Sequence, residues 1–437
     1  MAEIDLESKA MIGAVTEGVY VKPGYVRRIL AAMILSSSLG DGQEIFSDRI
    51  VSLRVNGVVH AGLPACTQAG QPLTIEFDAR DTEPQNYVVR FTHCDRDWHT
   101  TNNVFVNDEL KNHTKVQIPY QQAPPGIKGY GYTYVVRVPG IAGVEEFAYS
   151  GNYRYEISDA ENGLMLARGR MFVIENGVAV QMRVGNRGLP STSYPGNQVH
   201  KVEVKVKIPE TSEPPSEQLF SILVEGIDVV RNRELNHSYR IDAHNPTANA
   251  YVEDFGLPTL KFVLDNVLCG NEYRRLDLRN VDFYPAGQTL RSKAGADVLR
   301  FKYQGAKDNN GKSTVTAGDR YAEVLPYRFE LLADLPFSEE VFVLGDFNGW
   351  EVRDAWKLQF DAVTHRYYAD VNVRRGVYDY QYVFGDYSSL SLEGSDWRTV
   401  SVYSVFVYYR DQRYGGFDRI IGFAQQQSSG GSESSTR

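Results

Sequence analysis

Cysteine is scarce in this chain: Cys66, Cys94 and Cys269 are the three in 437 residues, far apart and without a C-x-x-C pair. That spacing signals neither a zinc site nor a disulfide-stapled scaffold, although an oxidising compartment could join two of them and leave one free. Clusters of Lys and Arg are missing as well. With a formal charge of −9 and a pI near 5.5, the chain lacks the basic surface that phosphate recognition needs, so nucleic acid is excluded as a partner. Lys201, Lys205 and Lys207 alternate with Val and read as the solvated face of a strand. No apolar run is long enough to span a bilayer. G-x-S-x-G, H-E-x-x-H and phosphate-binding glycine loops are absent, and carboxylate pairs for glycoside hydrolysis cannot be picked out.

What is abundant is Tyr and Phe, with frequent Val, so propensity favours β-structure throughout. The length points to two or three domains. Short alternating runs recur: Ile50 to Val55, Leu73 to Phe77, Tyr87 to Phe91, Tyr130 to Val138, Asn152 to Ile157 and Gly169 to Ile174. Turn sequences such as Val55-Asn56-Gly57, Pro124-Pro125-Gly126 and Ser150-Gly151-Asn152 punctuate them. The expected fold class is all-β, built of tandem antiparallel, immunoglobulin-like sandwiches. The expected partition is a leader over 1–43, sandwiches over 44–176, 177–325 and 326–424, and a flexible Gln/Ser/Gly tail over 425–437. Within the leader, Arg27-Arg28, the apolar run Ile29 to Leu39, and small residues Gly40 and Gly42 have the layout of a signal peptide over about 26–42. Export is therefore expected, with a true start near Val26.

Two stretches invite a chemical reading. In Thr92-His93-Cys94-Asp95-Arg96-Asp97-Trp98, an extended strand would put His93, Asp95 and Asp97 on one face, the pattern of a metal-dependent hydrolase or a His general base with an orienting carboxylate. The simpler reading is structural: Asp95 and Asp97 accept backbone N–H bonds at a turn, Arg96 pairs with a carboxylate, and Trp98 anchors the core. Cys94 and His93 fall on opposite strand faces, which argues against a Cys/His dyad. The second stretch is Val341 to Trp350, a strand running into a tight turn, followed by strands from Tyr367 and Gly376.

His93-Cys94-Asp95-Arg96-Asp97-Trp98, then Gly151-Asn152-Tyr153, then Arg170-Met171-Phe172-Val173 resemble the N-terminal domain of the plug protein family of the type IX secretion system in Bacteroidetes. Asn271 to Asp277, Val405 to Arg410 and Phe417 to Gly422 follow in the family's order, so the resemblance covers roughly 45–423. It implies a non-enzymatic periplasmic protein without cofactor or metal, associated with the outer membrane through a protein partner. That partner is the β-barrel translocon, whose periplasmic opening the plug closes when no cargo is engaged. Neither a membrane span nor a small-molecule ligand is implied. The stretch around Trp350 resembles early-set immunoglobulin-like modules that include starch- and glycogen-binding domains. By that resemblance Trp350 and Tyr387 would be the sugar-stacking aromatics, but Gln381 stands where the basic residue belongs, and the alternative expectation for Trp350 is a packed structural role.

Overall fold

The computed structural model describes residues 43–57, 63–68, 70–108, 110–140, 143–188, 198–209, 223–254, 258–301, 305, 307–315 and 322–429. The expected signal peptide lies outside the described residues. The described residues form one compact unit.

The first sandwich takes nine strands: β1 (Glu44–Ile45), β2 (Ile50–Gly57), β3 (Ala65–Thr67), β4 (Leu73–Ala79), β5 (Tyr87–Cys94), β6 (Tyr120–Gln122), β7 (Tyr132–Val138), β8 (Gly151–Asp159) and β9 (Met165–Ile174). One sheet runs β2-β4-β7-β6; the other runs β1-β9-β8-β5, with β3 parallel to β9. Alternation decides which side chains go inside. In β4, Leu73, Ile75 and Phe77 are fully buried, and the stacked and edge-on rings of Phe77, Tyr87 and Tyr134 fill the space between the sheets.

The second sandwich opens with β10 (Ala179–Gly188), β11 (Gln198–Lys207), β12 (Val224–Arg231), β13 (Tyr239–Asp242), β14 (Ala250–Asp254) and β15 (Thr259–Val267). The chain then leaves it to build a third: β16 (Arg274–Asp277), β17 (Leu290–Arg291), β18 (Val324–Leu332), β19 (Val341–Gly345), β20 (Gln359–Asp361), β21 (Arg366–Arg374) and β22 (Val377–Phe384). The third sandwich packs sheet β16-β22-β19 on sheet β17-β18-β21-β20. Finally β23 (Val402–Asp411) and β24 (Phe417–Gln427) return to the second sandwich, whose sheets are β10-β11-β15-β14 and β13-β12-β23-β24.

This differs from the linear partition at 177–325 and 326–424: the third sandwich is an insertion, and the final hairpin belongs with β12. The physical reason is visible in β23. Tyr403, Val405, Val407 and Tyr409 enter the core of the second sandwich, while Phe406 and Tyr408 pack on Phe172 and Ile174 of the first. A strand apolar on both faces needs cover on both sides, and only the position between these two sandwiches supplies it. Of the expected tail, residues 425–429 are ordered and the rest lie outside the described residues. β24 continues through Gln427 in register with Val402, and Ser428 N–H donates to Ser401 O at 2.8 Å, because polar side chains on a paired strand still satisfy the backbone ladder.

Buried ion pairs join the sandwiches. Arg374 of β21 lies 2.9 Å from Asp78 of β4, and Arg233 lies 2.9 Å from Asp346 after β19. No helix among the described residues is long and apolar enough to cross a membrane.

Candidate functional site

β5 ends at Cys94, in register with Asn152 of β8, with His93 opposite Tyr153. Beyond Cys94 the extended backbone stops, because Asp95 Oδ1 accepts the N–H of Asp97 (2.9 Å) and of His99 (2.8 Å), closing a turn on its own side chain. The one-face arrangement expected for His93, Asp95 and Asp97 is therefore not formed. His93 points into the interior, while Asp97 is exposed and ion-paired with Arg240, whose hydrogen bond holds its carboxyl below the usual range.

His93 is fully buried. Its Nε2 faces the Ser150 carbonyl at 3.2 Å, which can only accept, so Nε2 carries the proton and Nδ1 accepts from the Thr101 hydroxyl at 2.8 Å. The ring meets Tyr153 and Phe417 edge-on, at 5.1 and 5.7 Å between centroids. Burial pushes its pKa down to about 4, so the imidazole is neutral at pH 7 with both nitrogens occupied. That is a structural histidine, not a base or a ligand. Among the described residues, no group of three or more His, Cys, Asp or Glu side chains is arranged to hold a metal ion.

The remaining motif residues are joints. Asn152 Nδ2 donates to the Asp95 carbonyl at 3.0 Å, and its Oδ1 accepts the Tyr408 hydroxyl at 2.8 Å, stitching β8 to the turn and to β23. Tyr153 closes onto the Tyr149 carbonyl at 2.9 Å. Gly151 is there because a Cβ would stand 2.4 Å from His93 Nε2. Trp98 has φ 66° and is only half-buried; Arg170 lies 4.3 Å over its ring and Phe172 meets its edge. It caps the junction between the first and second sandwiches and is not a core anchor. Cys94 is buried, as are Cys66 and Cys269, and no disulfide joins any pair of the three. Burial pushes the Cys66 thiol up, and the Cys269 thiol up to about 12, far from a reactive thiolate.

Sequence reasoning underrated Arg96. Its guanidinium is buried, bonds Asp228 of β12 at 2.6 and 3.1 Å and the Ile227 carbonyl at 2.9 Å, and lies 5.0 Å over Tyr408. Its N–H donates to Asp418 of β24 at 2.8 Å. Asp228 and Asp418 carry no local motif, so only the tertiary pairing marks them.

The same motif holds up an apolar knob. Asn107 Oδ1 accepts the His93 N–H at 2.6 Å, and Thr101 N–H donates to the His93 carbonyl at 3.0 Å, pinning the segment after β5. On that segment Val104, Phe105 and Leu110 are 77, 67 and 76 % exposed. Phe105 stacks on Tyr414 of the β23–β24 turn at 5.1 Å, and Asn103 bonds the Tyr414 carbonyl.

In the third sandwich, Trp350 is 2 % exposed, with φ 60°, its Nε1 donating to the Gly311 carbonyl at 3.1 Å and its ring 4.6 Å from Tyr273. Its ring packs in a buried cluster with Phe342, Leu344 and Val383, the structural role that was the alternative expectation. Gln381 turns inward to bond Glu234 at 2.9 Å, and the Tyr387 hydroxyl accepts the Val352 N–H at 3.3 Å.

Residues 51–175 match the model of the type 9 secretion system plug protein 1st domain. Among solved structures, the chain is similar to a hypothetical protein from Parabacteroides merdae, with a TM-score of 0.72 and 18 % identity, covering 89 % of this chain and 100 % of that one. At that identity the likeness speaks for the fold alone. A match to the C-terminal domain of the Streptococcus pyogenes antigen I/II-family protein AspA, at 8 % identity over 86 % of this chain and 98 % of that one, has a TM-score of 0.13 and carries no argument. No curated protein matches the chain. Over residues 51–175, then, this chain carries a domain of the type 9 secretion system plug protein family.

Proposed function

We propose that the protein is a non-enzymatic plug, resident in the periplasm, that closes the periplasmic opening of the outer-membrane type IX translocon barrel when no cargo is engaged. The plug-domain match over residues 51–175 carries this reading. The geometry supports it in two ways. A plug has to keep its shape while seated, and the buried Arg96 and Arg374 pairs brace the first sandwich against both others. It also has to seat reversibly, which calls for a small apolar anchor set in polar surroundings and not a broad apolar face. Val104, Phe105, Leu110 and Tyr414 form such an anchor, held in place by the plug-domain motif itself.

Deleting the protein in its host should raise outer-membrane permeability to a large antibiotic, and the tagged protein should recover the barrel. Phe105→Asp with Leu110→Asp should abolish that recovery without lowering the melting temperature, since neither side chain is in a core. Unchanged permeability on deletion together with no recovered barrel would reject the plug; full recovery by the double variant would reject the knob as its seat.

A further inference from the structure

The sheet β10-β11-β15-β14 ends on β10, whose residues Ala179–Gly188 pair in full with β11 on one side and with no strand on the other among the described residues. Unpaired N–H and C=O groups along such an edge invite a further strand, and native edges are commonly short, bulged or covered. The approach to β10 is tied down: the N–H groups of Gly177 and Val178 donate to the Ile421 carbonyl at 2.8 and 3.1 Å. Beyond it the edge runs open.

The two faces beside that edge differ in chemistry. Val180, Met182 and Val184 turn toward the core of the second sandwich but stay only partly buried, because they stand at its rim. On the outer face, Lys201 and Lys261 share Glu203 at 3.2 and 3.0 Å, and Arg187 pairs with Asp265 at 3.0 Å. Arg183, Lys205 and Lys207 are exposed and form no ion pair among the described residues. In register, Gln181 stands opposite Lys205 and Ala179 opposite Lys207, so a neutral and a small side chain are all that separate the two lysines from the edge. Three unpaired cations side by side stand out on a chain of formal charge −9.

The occupant follows from where those charges sit. A charge that only deters aggregation belongs on the edge strand itself, whereas Lys205 and Lys207 lie one strand in. A second copy is disfavoured, since pairing β10 with itself would bring like charges together. A strand added beside β10 lies about 10 Å from β11, a gap that a lysine and a glutamate side chain close between them. Its side chains fall alternately on the two faces: carboxylates outside, against Arg183, Lys205 and Lys207, and apolar groups inside, beside Val180, Met182 and Val184. Three cations suit a few carboxylates and are too few for a nucleic-acid backbone. We infer that the β10 edge takes up, as an added strand, an extended segment of a partner protein in which acidic and apolar residues alternate. The site lies outside residues 51–175 and does not rest on the plug reading.

The test is titration of the full chain with a fluorescein-labelled peptide of alternating glutamate and valine. Its comparators are an alternating lysine and valine peptide and a peptide of the same composition with its glutamates contiguous. Saturable one-to-one binding is expected for the first alone, weakening as salt rises. Lys205→Glu with Lys207→Glu should weaken it by about tenfold at an unchanged melting temperature, because both side chains are exposed. On binding, amide exchange should slow in β10 and stay as it was in β11, which is already paired on both sides. Equal binding of either comparator, wild-type affinity in the double variant, or no added protection in β10 would overturn the inference. So would the absence of peptide binding, whether the face then captures phosphatidylglycerol vesicles or a second copy of the chain.

Discussion

Gly151 sets the tightest steric condition in the plug-domain motif. A Cβ there would stand 2.4 Å from His93 Nε2 and 3.0 Å from the Asp418 carbonyl, at φ +145°. Gly151→Ala should therefore cost about 2–4 kcal/mol in urea unfolding. Gly163, with φ +69° and open space around its Cβ position, supplies the control, and its Ala variant should cost only about 1 kcal/mol. Equal costs would mean the His93 contact contributes nothing. A second residue-scale prediction concerns Glu272, whose Oε1 accepts the Val400 N–H at 3.1 Å. Burial and the neighbouring Asp308 carboxyl raise its pKa from 4.5 to about 7. The folded state then holds a proton that the unfolded chain releases, so this stabilisation is complete below pH 4.5 and lost as pH rises to about 7. His93 and His200 act oppositely: burial lowers both from 6.5 to about 4, so their contribution is present above pH 6.5 and lost as pH falls to about 4. Because the two trends overlap, the variant isolates the first. Relative to wild type, Glu272→Gln should gain about 1–3 kcal/mol between about pH 5 and about pH 7. A pH-independent difference would show that Glu272 does not hold that proton in the folded state.

At the scale of elements, what was legible depended on whether burial has a period. β11 reads directly: Val202, Val204 and Val206 are fully buried while Lys205 and Lys207 face solvent, and Val204→Ala should cost about 1–3 kcal/mol. The turn after β5 was half legible. Its acids and glycine partner were visible as a motif, but one-face alternation was carried past Cys94, where the Asp95 side chain had already ended the strand. Arg96 could be expected to find a carboxylate, but not Asp228, since that partner lies 132 positions away with no local signal. The β23–β24 hairpin was the least legible element, because pairing with β12 rather than with its sequence neighbours is a tertiary choice. It carries its own prediction. A chain ending at residue 400 keeps every strand of the third sandwich but removes two from the second. Limited proteolysis should then cut within strands β11, β12 and β15 of the truncated chain and spare those strands in the full one. Equal protection would show that the second sandwich folds without its last hairpin.

For the whole molecule, the question is whether three sandwiches behave as one body, and the contact between Asp78 and Arg374 is the place to ask. Asp78 is fully buried, and burial opposes its ionisation, yet Arg54 and Arg374 outweigh that and hold the carboxyl below its usual range. Arg54 belongs to the first sandwich and Arg374 to the third, each 2.9 Å from Asp78 Oδ2. Removing Arg374 leaves Asp78 paired through Arg54, whereas removing Asp78 leaves two buried guanidinium groups sharing one carboxylate, that of Glu76, which pairs with Arg54 and lies 3.7 Å from Arg374. Asp78→Ala should thus cost more than Arg374→Ala, about 3–5 kcal/mol for the former. The double-mutant cycle should give a coupling of about 1–3 kcal/mol. Native-state hydrogen exchange then reads rigidity directly. In the wild type, the most protected amides of β4 and β5 and those of β18 and β22 should open with the same free energy, because the sandwiches unfold together. In Arg374→Ala the two sets should part, the third sandwich opening first while the first keeps its Arg54 pair. Two separate opening energies already in the wild type would mean that the sandwiches are independent. The stiffness invoked for a seated plug would then have to come from the partner and not from this chain.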